Sequence, residues 1–168
     1  MTASPRAAAR PDHARKFVVA RVEDVPEGQR IIVRVQDRDI GIFNVEGEFY
    51  AFANRCPHKG GPLCEGVIAG LIESDAPGEF RFDPGRKLLI CPWHGWEFDL
   101  RDGQSYLEAA NTKARPYPVD VEPGKDIARS IKSEESGGES RTLIPGPYVA
   151  DTIPVSVERD YLVITMRS

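Results

Sequence analysis

Two short motifs, each with one cysteine and one histidine, constrain the fold of this chain more than any other feature. They are CPHKGG, with Cys56 and His58, and CPWHGW, with Cys91 and His94, in a chain with only three cysteines and three histidines. Thiolates and imidazoles are ligands that proteins use for zinc and for iron–sulfur clusters. The sequence therefore predicts two glycine-containing loops that together form one metal centre.

The order of the ligands bears on which metal centre this is. Zinc fingers generally take a cysteine pair from one segment and a histidine pair from another, whereas here each motif supplies one ligand of each kind. That order suits a two-iron cluster in which one iron takes both thiolates and the other takes both imidazoles. A zinc-stabilised binding module with no redox role is the alternative that the residue types leave open.

The rest of the chain predicts an all-β fold. Residues 30–36 alternate with Ile31, Val33 and Val35 on one face, the pattern of a half-buried strand. Segments 40–45 and 49–54 follow after short acidic turns and complete an antiparallel meander. Further strands are predicted at 16–21 and 161–166. Two similar segments, ARPYPVDVE and ADTIPVSVE, both compete to supply the partner strand in the last hairpin.

The predicted organisation is one domain, residues 16–168, preceded by a disordered tail at residues 1–15. An inserted hairpin is expected at about 71–87, where Ala-Pro-Gly and Asp-Pro-Gly give two turn signals. A polar surface loop is expected at about 123–150, with a short helix near 127–131.

The motifs CPHKGGPL and CPWHGWEFD resemble the two cluster-binding loops of the Rieske family. The resemblance implies one [2Fe–2S] cluster per chain, with Cys56 and Cys91 on one iron and His58 and His94 on the other. It also implies a small antiparallel β-sandwich or barrel with a cluster-binding subdomain of two loops, the histidines facing solvent.

The function that this resemblance implies is one-electron transfer, as a ferredoxin that passes electrons from a reductase to a terminal oxygenase. A fixed electron-transfer subunit of a larger oxidoreductase is the alternative. Rieske oxygenases also hold a separate iron on two histidines and a carboxylate, but the one histidine outside the motifs is His13. No independent catalytic site is evident in the sequence, so whether the chain is itself an enzyme stays open.

Several departures from the family pattern matter. His58 and Cys91 are separated by residues 59–90, about twice the spacing of short Rieske ferredoxins, and the inserted hairpin accounts for the excess. Gly61 and Trp93 occupy the positions where cytochrome-complex members carry a disulfide. The serine and tyrosine hydroxyls of high-potential members are replaced by Trp96 and Phe98. The resemblance therefore predicts a potential in the lower part of the Rieske range of about −150 to +300 mV.

Composition limits the location and the partners. The net charge is −4 without a basic stripe, which argues against nucleic-acid binding. Such a charge generally serves solubility, and steering of a basic redox partner is the alternative. No apolar run reaches membrane-spanning length and the N-terminus lacks a secretory signal, so no membrane contact is expected. Three cysteines are too few for a disulfide framework, which favours the reducing cytoplasm. Cys64, outside the ligand set, is predicted to be a small buried residue.

Overall fold

The computed structural model describes residues 14–106, 112–135 and 159–167, which form antiparallel sheets and one α-helix. The predicted all-β antiparallel class is confirmed. In chain order the elements are β1 (Ala14–Arg21), β2 (Arg30–Val35), β3 (Arg38–Val45), β4 (Glu48–Ala53), β5 (Val67–Ala76), β6 (Glu79–Ile90), β7 (Glu97–Asp99), β8 (Pro116–Tyr117), β9 (Val119–Pro123), α1 (Gly124–Glu135) and β10 (Asp160–Arg167).

The predicted meander is the sheet β2–β3–β4, to which β8 adds a fourth strand. The alternation predicted for β2 is present, because Ile31, Val33 and Val35 are buried or half buried whereas Ile32 and Arg34 are exposed. Full burial of such an aliphatic side chain stabilises a fold by about 1.5–3 kcal/mol. The inward face of β2 thus follows directly from the period-two pattern.

A second sheet has the strand order β1–β10–β9 and packs on the first across a shared core that includes Ile40, Ile42, Leu162 and Ile164. The predicted strand in ARPYPVDVE is divided at Pro118, which has no N–H to donate to a ladder. Before Pro118, β8 pairs with β4; after it, β9 pairs with β10. The earlier of the two similar segments supplies β9, which pairs with β10 although α1 lies between them in the chain, and the later segment, 150–158, lies outside the described residues.

The third sheet, β5–β6–β7, positions the two Cys/His motifs. The first motif leads into β5, and the second motif connects β6 to β7. Val67, at the start of β5, pairs with Ile90, at the end of β6, and Ile90 also pairs with Glu97 at the start of β7. Both motifs therefore emerge from the same end of one sheet.

The β5–β6 hairpin contains the segment predicted as an insertion at about 71–87. Its turn lies at the predicted Ala-Pro-Gly, where Ala76 pairs with Glu79. The second turn signal, Asp-Pro-Gly at 83–85, does not reverse the chain. Gly70 pairs with Lys87 while Leu71 pairs with Asp83, so residues 84–86 form a bulge inside β6.

Other expected segments are only partly within the described residues. Ala14 and Arg15, at the end of the expected tail, already belong to β1, and residues 1–13 lie outside the description. The first part of the expected surface loop is α1, which is longer than the short helix predicted near 127–131, and residues 136–150 are not described. Among the described helices, none combines the length and the apolar character needed to cross a membrane.

Candidate metal centre

The first motif folds into a turn closed by two backbone hydrogen bonds. The N–H of Cys56 donates to the carbonyl of Gly61 at 2.8 Å, and the N–H of Gly60 donates to the carbonyl of Cys56 at 2.8 Å. Gly60 has a φ of 78°, a conformation that side chains with a Cβ rarely adopt. Glycine at this position therefore allows the turn to close around the cysteine.

The second motif repeats this backbone arrangement. The N–H of Cys91 donates to the carbonyl of Trp96 at 2.8 Å, and the N–H of Gly95, with a φ of 67°, donates to the carbonyl of Cys91 at 3.0 Å. The two turns thus match residue for residue, except that the histidine follows the cysteine by two positions in the first and by three in the second. In both motifs the N–H group of a glycine, Gly60 or Gly95, closes the turn on the carbonyl of the motif's cysteine.

The two cysteines lie together at the inner side of the site. Cys56 and Cys91 are each 2% exposed, are free thiols, and belong to one buried cluster with Leu63, Leu89 and Phe98. Burial raises the pKa of the Cys56 thiol, and the neighbouring side chain of Cys91 acts in the same direction, whereas the backbone N–H of His58 lowers that pKa. A bound cation would reverse the effect of burial, since metal ions stabilise thiolates.

The two histidines lie at the outer side. The ring centroids of His58 and His94 are 4.9 Å apart and nearly perpendicular, with His58 half buried and His94 exposed. Trp96 stacks on His58, with centroids 4.7 Å apart and an angle of 23° between the rings. Among the described residues, Nδ1 of His58 is one of two buried side-chain nitrogen or oxygen atoms without a hydrogen-bond partner.

These observations fit the ligand set expected of a two-iron cluster. A buried imidazole nitrogen without a partner is costly in an empty protein but is what a metal ligand requires. The two thiols belong to one buried cluster and the two imidazoles contact each other, so Cys56 and Cys91 could hold one iron and His58 and His94 the other. Within the described residues, no three or more His, Cys, Asp or Glu side chains lie close enough together to hold a single metal ion.

Cys64, which follows the first turn in the chain, is packed against Asn54 and Phe52 of the neighbouring strand and loop. Cys64 is fully buried, its N–H donates to Oδ1 of Asn54 at 2.8 Å, and its thiol lies 3.4 Å from the carbonyl oxygen of Phe52. Burial raises the pKa of this thiol to about 12. Gly41 leaves room for it, because a Cβ on Gly41 would lie 2.3 Å from the Cβ of Cys64. The prediction that Cys64 is a small buried residue is confirmed.

The two turns also touch each other directly. A Cβ added to Gly61 would lie 2.8 Å from Cδ2 of Trp93, so the indole of the second turn packs on the backbone of the first. These are the two positions where the resemblance located the missing disulfide. Of the two tryptophans in the second turn, Trp96 is half buried on His58, whereas Trp93 is 58% exposed.

A buried carboxylate that the sequence motifs do not predict anchors the strand after the second turn. Asp99, 1% exposed, accepts hydrogen bonds from Nη2 of Arg101 at 2.7 Å and from Nε of Arg86 at 3.1 Å. The Arg101 guanidinium is the main cause that lowers the pKa of Asp99 to about 2. The sequence feature that could have indicated this carboxylate is an aspartate directly after Phe98, with arginines at positions 86 and 101.

Comparisons with known proteins agree with this geometry. Residues 15–118 match the Rieske [2Fe–2S] domain. A human Rieske domain-containing protein is 35% identical over 95 residues, which are 56% of this chain and 53% of that protein. The 3-phenylpropionate/cinnamic acid dioxygenase ferredoxin subunit of Shigella boydii is 37% identical over 106 residues, 63% of this chain and 84% of that subunit.

One solved structure extends the likeness of fold. A putative NADH-dependent nitrite reductase small subunit from Mycobacterium tuberculosis aligns over 92% of this chain and 97% of its own, with a TM-score of 0.55 and 15% identity. The chain spans about half the length of the human relative. The domain match covers more than half of this chain, and the protein therefore belongs to the Rieske [2Fe–2S] family, with one [2Fe–2S] cluster per chain as its cofactor.

Proposed function

We propose that this protein is a Rieske-type ferredoxin of the cytoplasm, which takes single electrons from a reductase and delivers them to a terminal oxygenase. The observation that carries the proposal is the pair of matched turns, which bring two buried thiols and two neighbouring imidazoles to one end of the β5–β6–β7 sheet. The similarity to a protein named as a dioxygenase ferredoxin subunit over most of that subunit's length supports the same role.

The proposed ligands are Cys56 and Cys91 on the inner iron and His58 and His94 on the outer iron. When bound, the cluster accepts and releases one electron, at a potential that two neutral imidazoles raise relative to four thiolates. The chain contributes an exit for the electron, because the side chain of His94 is exposed and a partner could approach it directly. The stacked Trp96 and the buried cysteines limit the access of water to the inner side.

The ligand assignment is tested by cysteine and histidine variants purified under identical conditions. Cys56→Ser, Cys91→Ser, His58→Ala and His94→Ala should each lose bound iron, acid-labile sulfide and the low-average-g EPR signal of the reduced protein. Two variants serve as matched controls, Cys64→Ser and His13→Ala, and both should retain the cluster. Zinc in place of iron in the unmodified protein, or cluster loss in the controls alone, would contradict the assignment.

Electron transfer itself is tested with a panel of reductases and oxygenases. The expected result is reduction of the cluster by a flavoprotein reductase with NADH, and reoxidation that depends on an oxygenase and its substrate. A protein that holds an intact cluster but exchanges electrons with neither class would overturn the proposed role. Cell fractionation tests the proposed cytoplasmic location.

A second candidate, a fixed subunit of a larger oxidoreductase, is favoured by one specific observation. Ile72, Phe80 and Phe82 on the β5–β6 hairpin are 65%, 75% and 61% exposed, and large exposed apolar side chains near one another are typical of interaction sites. A diffusing carrier binds its partners weakly, whereas a subunit co-purifies with them. Size-exclusion chromatography of the protein from its native host therefore distinguishes the two.

A further inference from the structure

The surface around the two histidines has a charge opposite to that of the whole chain. Residues 55–61 and 91–96, which we call the tip, contain two charged side chains, Arg55 and Lys59, and no carboxylate, while the net charge of the chain is −4. Both side chains are exposed. An acidic protein thus presents a positive surface at the place where the proposed electron exit lies.

The two cations are available to a partner. Neither Arg55 nor Lys59 forms an ion pair with another described residue. The guanidinium of Arg55 lies against the first turn: a Cβ added to Gly60 would be 3.8 Å from Nε of Arg55. Its charge is therefore held over the turn that carries His58.

The nearest acidic residues along the chain do not belong to the tip. Glu65 is the last residue of a 3₁₀ turn. Its backbone carbonyl oxygen accepts a hydrogen bond from Nη2 of Arg30 at 3.1 Å, so the Arg30 guanidinium lies next to this residue. Glu97 lies within β7, half buried and paired with Ile90. Neither carboxylate lies in the two turns, although Glu97 directly follows Trp96 and both weaken the positive potential.

The centre of this surface is aromatic. Trp93 is 58% exposed and its ring centroid lies 6.3 Å from that of His94, which is also exposed. Tryptophan and arginine are enriched among the residues that contribute most to protein interfaces, generally with an apolar centre and a polar rim. The tip therefore combines an exposed indole, an exposed candidate ligand and two exposed cations.

We infer that the tip is a basic docking surface for an acidic redox protein, one whose carboxylates surround its own redox centre. This inference rests on the proposed function, in that electrons leave through His58 and His94. Because the Debye length is about 8 Å at physiological ionic strength, the two cations of the tip act on a close partner more strongly than charges elsewhere on the chain that lie beyond that length. The net charge alone left open the steering of a basic partner, and the local charge of the tip points to an acidic one.

Small inorganic oxidants test the sign of the charge at the electron exit. The reduced cluster-bearing protein is mixed in a stopped-flow instrument with anionic ferricyanide or with cationic hexaammineruthenium(III) at a series of ionic strengths. A basic exit predicts ferricyanide rates that fall as salt rises and ruthenium rates that rise, despite the net charge of −4. The opposite pair of slopes would overturn the inference.

Charge reversals locate the effect. Lys59→Glu and Arg55→Glu should each slow the ferricyanide reaction by about threefold or more at low ionic strength and accelerate the ruthenium reaction. Lys125→Glu, an exposed residue in α1, changes the net charge equally and should alter both rates much less. A changed cluster potential would shift both rates in the same direction, so opposite shifts identify local charge. Equal effects of Lys59→Glu and Lys125→Glu would contradict a basic tip.

A carboxylate-bearing polypeptide tests the kind of partner. Poly-L-glutamate at low ionic strength should bind the tip and slow the ferricyanide reaction of the unmodified protein and of Lys125→Glu, but act much less on Lys59→Glu. No retardation of the unmodified protein would overturn the acidic partner. A protein without iron and acid-labile sulfide would instead refute the proposed function, so the two failures are distinguishable.

Discussion

Replacement of Asp99 by asparagine tests how much its buried carboxylate, which follows the second turn, contributes to the stability of the fold. The change removes the charge that Arg86 and Arg101 contact but preserves the size of the side chain. The pKa of the carboxylate is lowered from 3.8 to about 2, chiefly by hydrogen bonds from the Arg101 side chain. At about 1.4 kcal/mol per pKa unit, the charged form is favoured in the folded protein by roughly 2–2.5 kcal/mol. Asp99→Asn should therefore lower the free energy of unfolding by about that amount at pH 7.

The control is an ion pair of the same length at the surface. Asp39 and Arg34 are joined at 3.1 Å, as are Asp99 and Arg86, but the side chain of Asp39 is 50% exposed whereas that of Asp99 is 1% exposed. Exposed pairs contribute about 0.2–1 kcal/mol. Asp39→Asn should thus cost less than half as much as Asp99→Asn. The assay is urea unfolding followed by circular dichroism.

The pH dependence gives the same reasoning a second test. Because the pKa of Asp99 is depressed in the folded state, its contribution is complete above the unfolded value near 4 and is lost as the pH falls toward 2. The advantage of the unmodified protein over Asp99→Asn should be constant from pH 7 to 5 and narrow below pH 4. If the two proteins are equally stable at pH 7, or if Asp39→Asn costs as much, the carboxylate does not anchor the turn.

The remaining predictions concern the packing around Cys64 and the potential. Gly41→Ala should lower the free energy of unfolding in urea by about 1–3 kcal/mol, because the added methyl would overlap Cys64. Adding Cys64→Gly should recover part of that loss. If the losses of the two single variants simply add in the double variant, the two residues do not conflict. Redox titration of the reduced EPR signal should give a midpoint in the lower part of about −150 to +300 mV, since Trp96 and Phe98 offer no hydroxyl to the cluster, and a clearly positive midpoint would contradict this.

The parts of the fold that follow from local pattern could be predicted from the sequence. The alternation in residues 30–36 gave the inward face of β2 correctly, because one buried face fixes the register of a strand. The Ala-Pro-Gly turn of the β5–β6 hairpin was predicted from its turn-forming residues. The structure explains the glycine, because Gly78 has a φ of 86°. The ligand motifs were evident because cysteine and histidine are rare in this chain.

Features that depend on distant partners could not be predicted in this way. The Asp-Pro-Gly at 83–85 has the composition of a turn, yet pairing of β6 with β5 on both sides of it leaves a bulge. Pro118 ends one ladder and begins another, and that outcome depends on where β4 and β10 lie. The role of Asp99 required knowledge that arginines at 86 and 101 reach one buried carboxylate.

The pairing of Val67 with Ile90 means that the distance between the two turns in space does not depend on the number of residues between them. Every residue added beyond this pair lengthens the far end of a hairpin and leaves the near end unchanged. The same metal centre can therefore be built with spacers of very different length, and a search that fixes the interval between the cysteine–histidine motifs would overlook chains of this kind. The constant quantity is the register of two strands, and the number of intervening residues is free to vary.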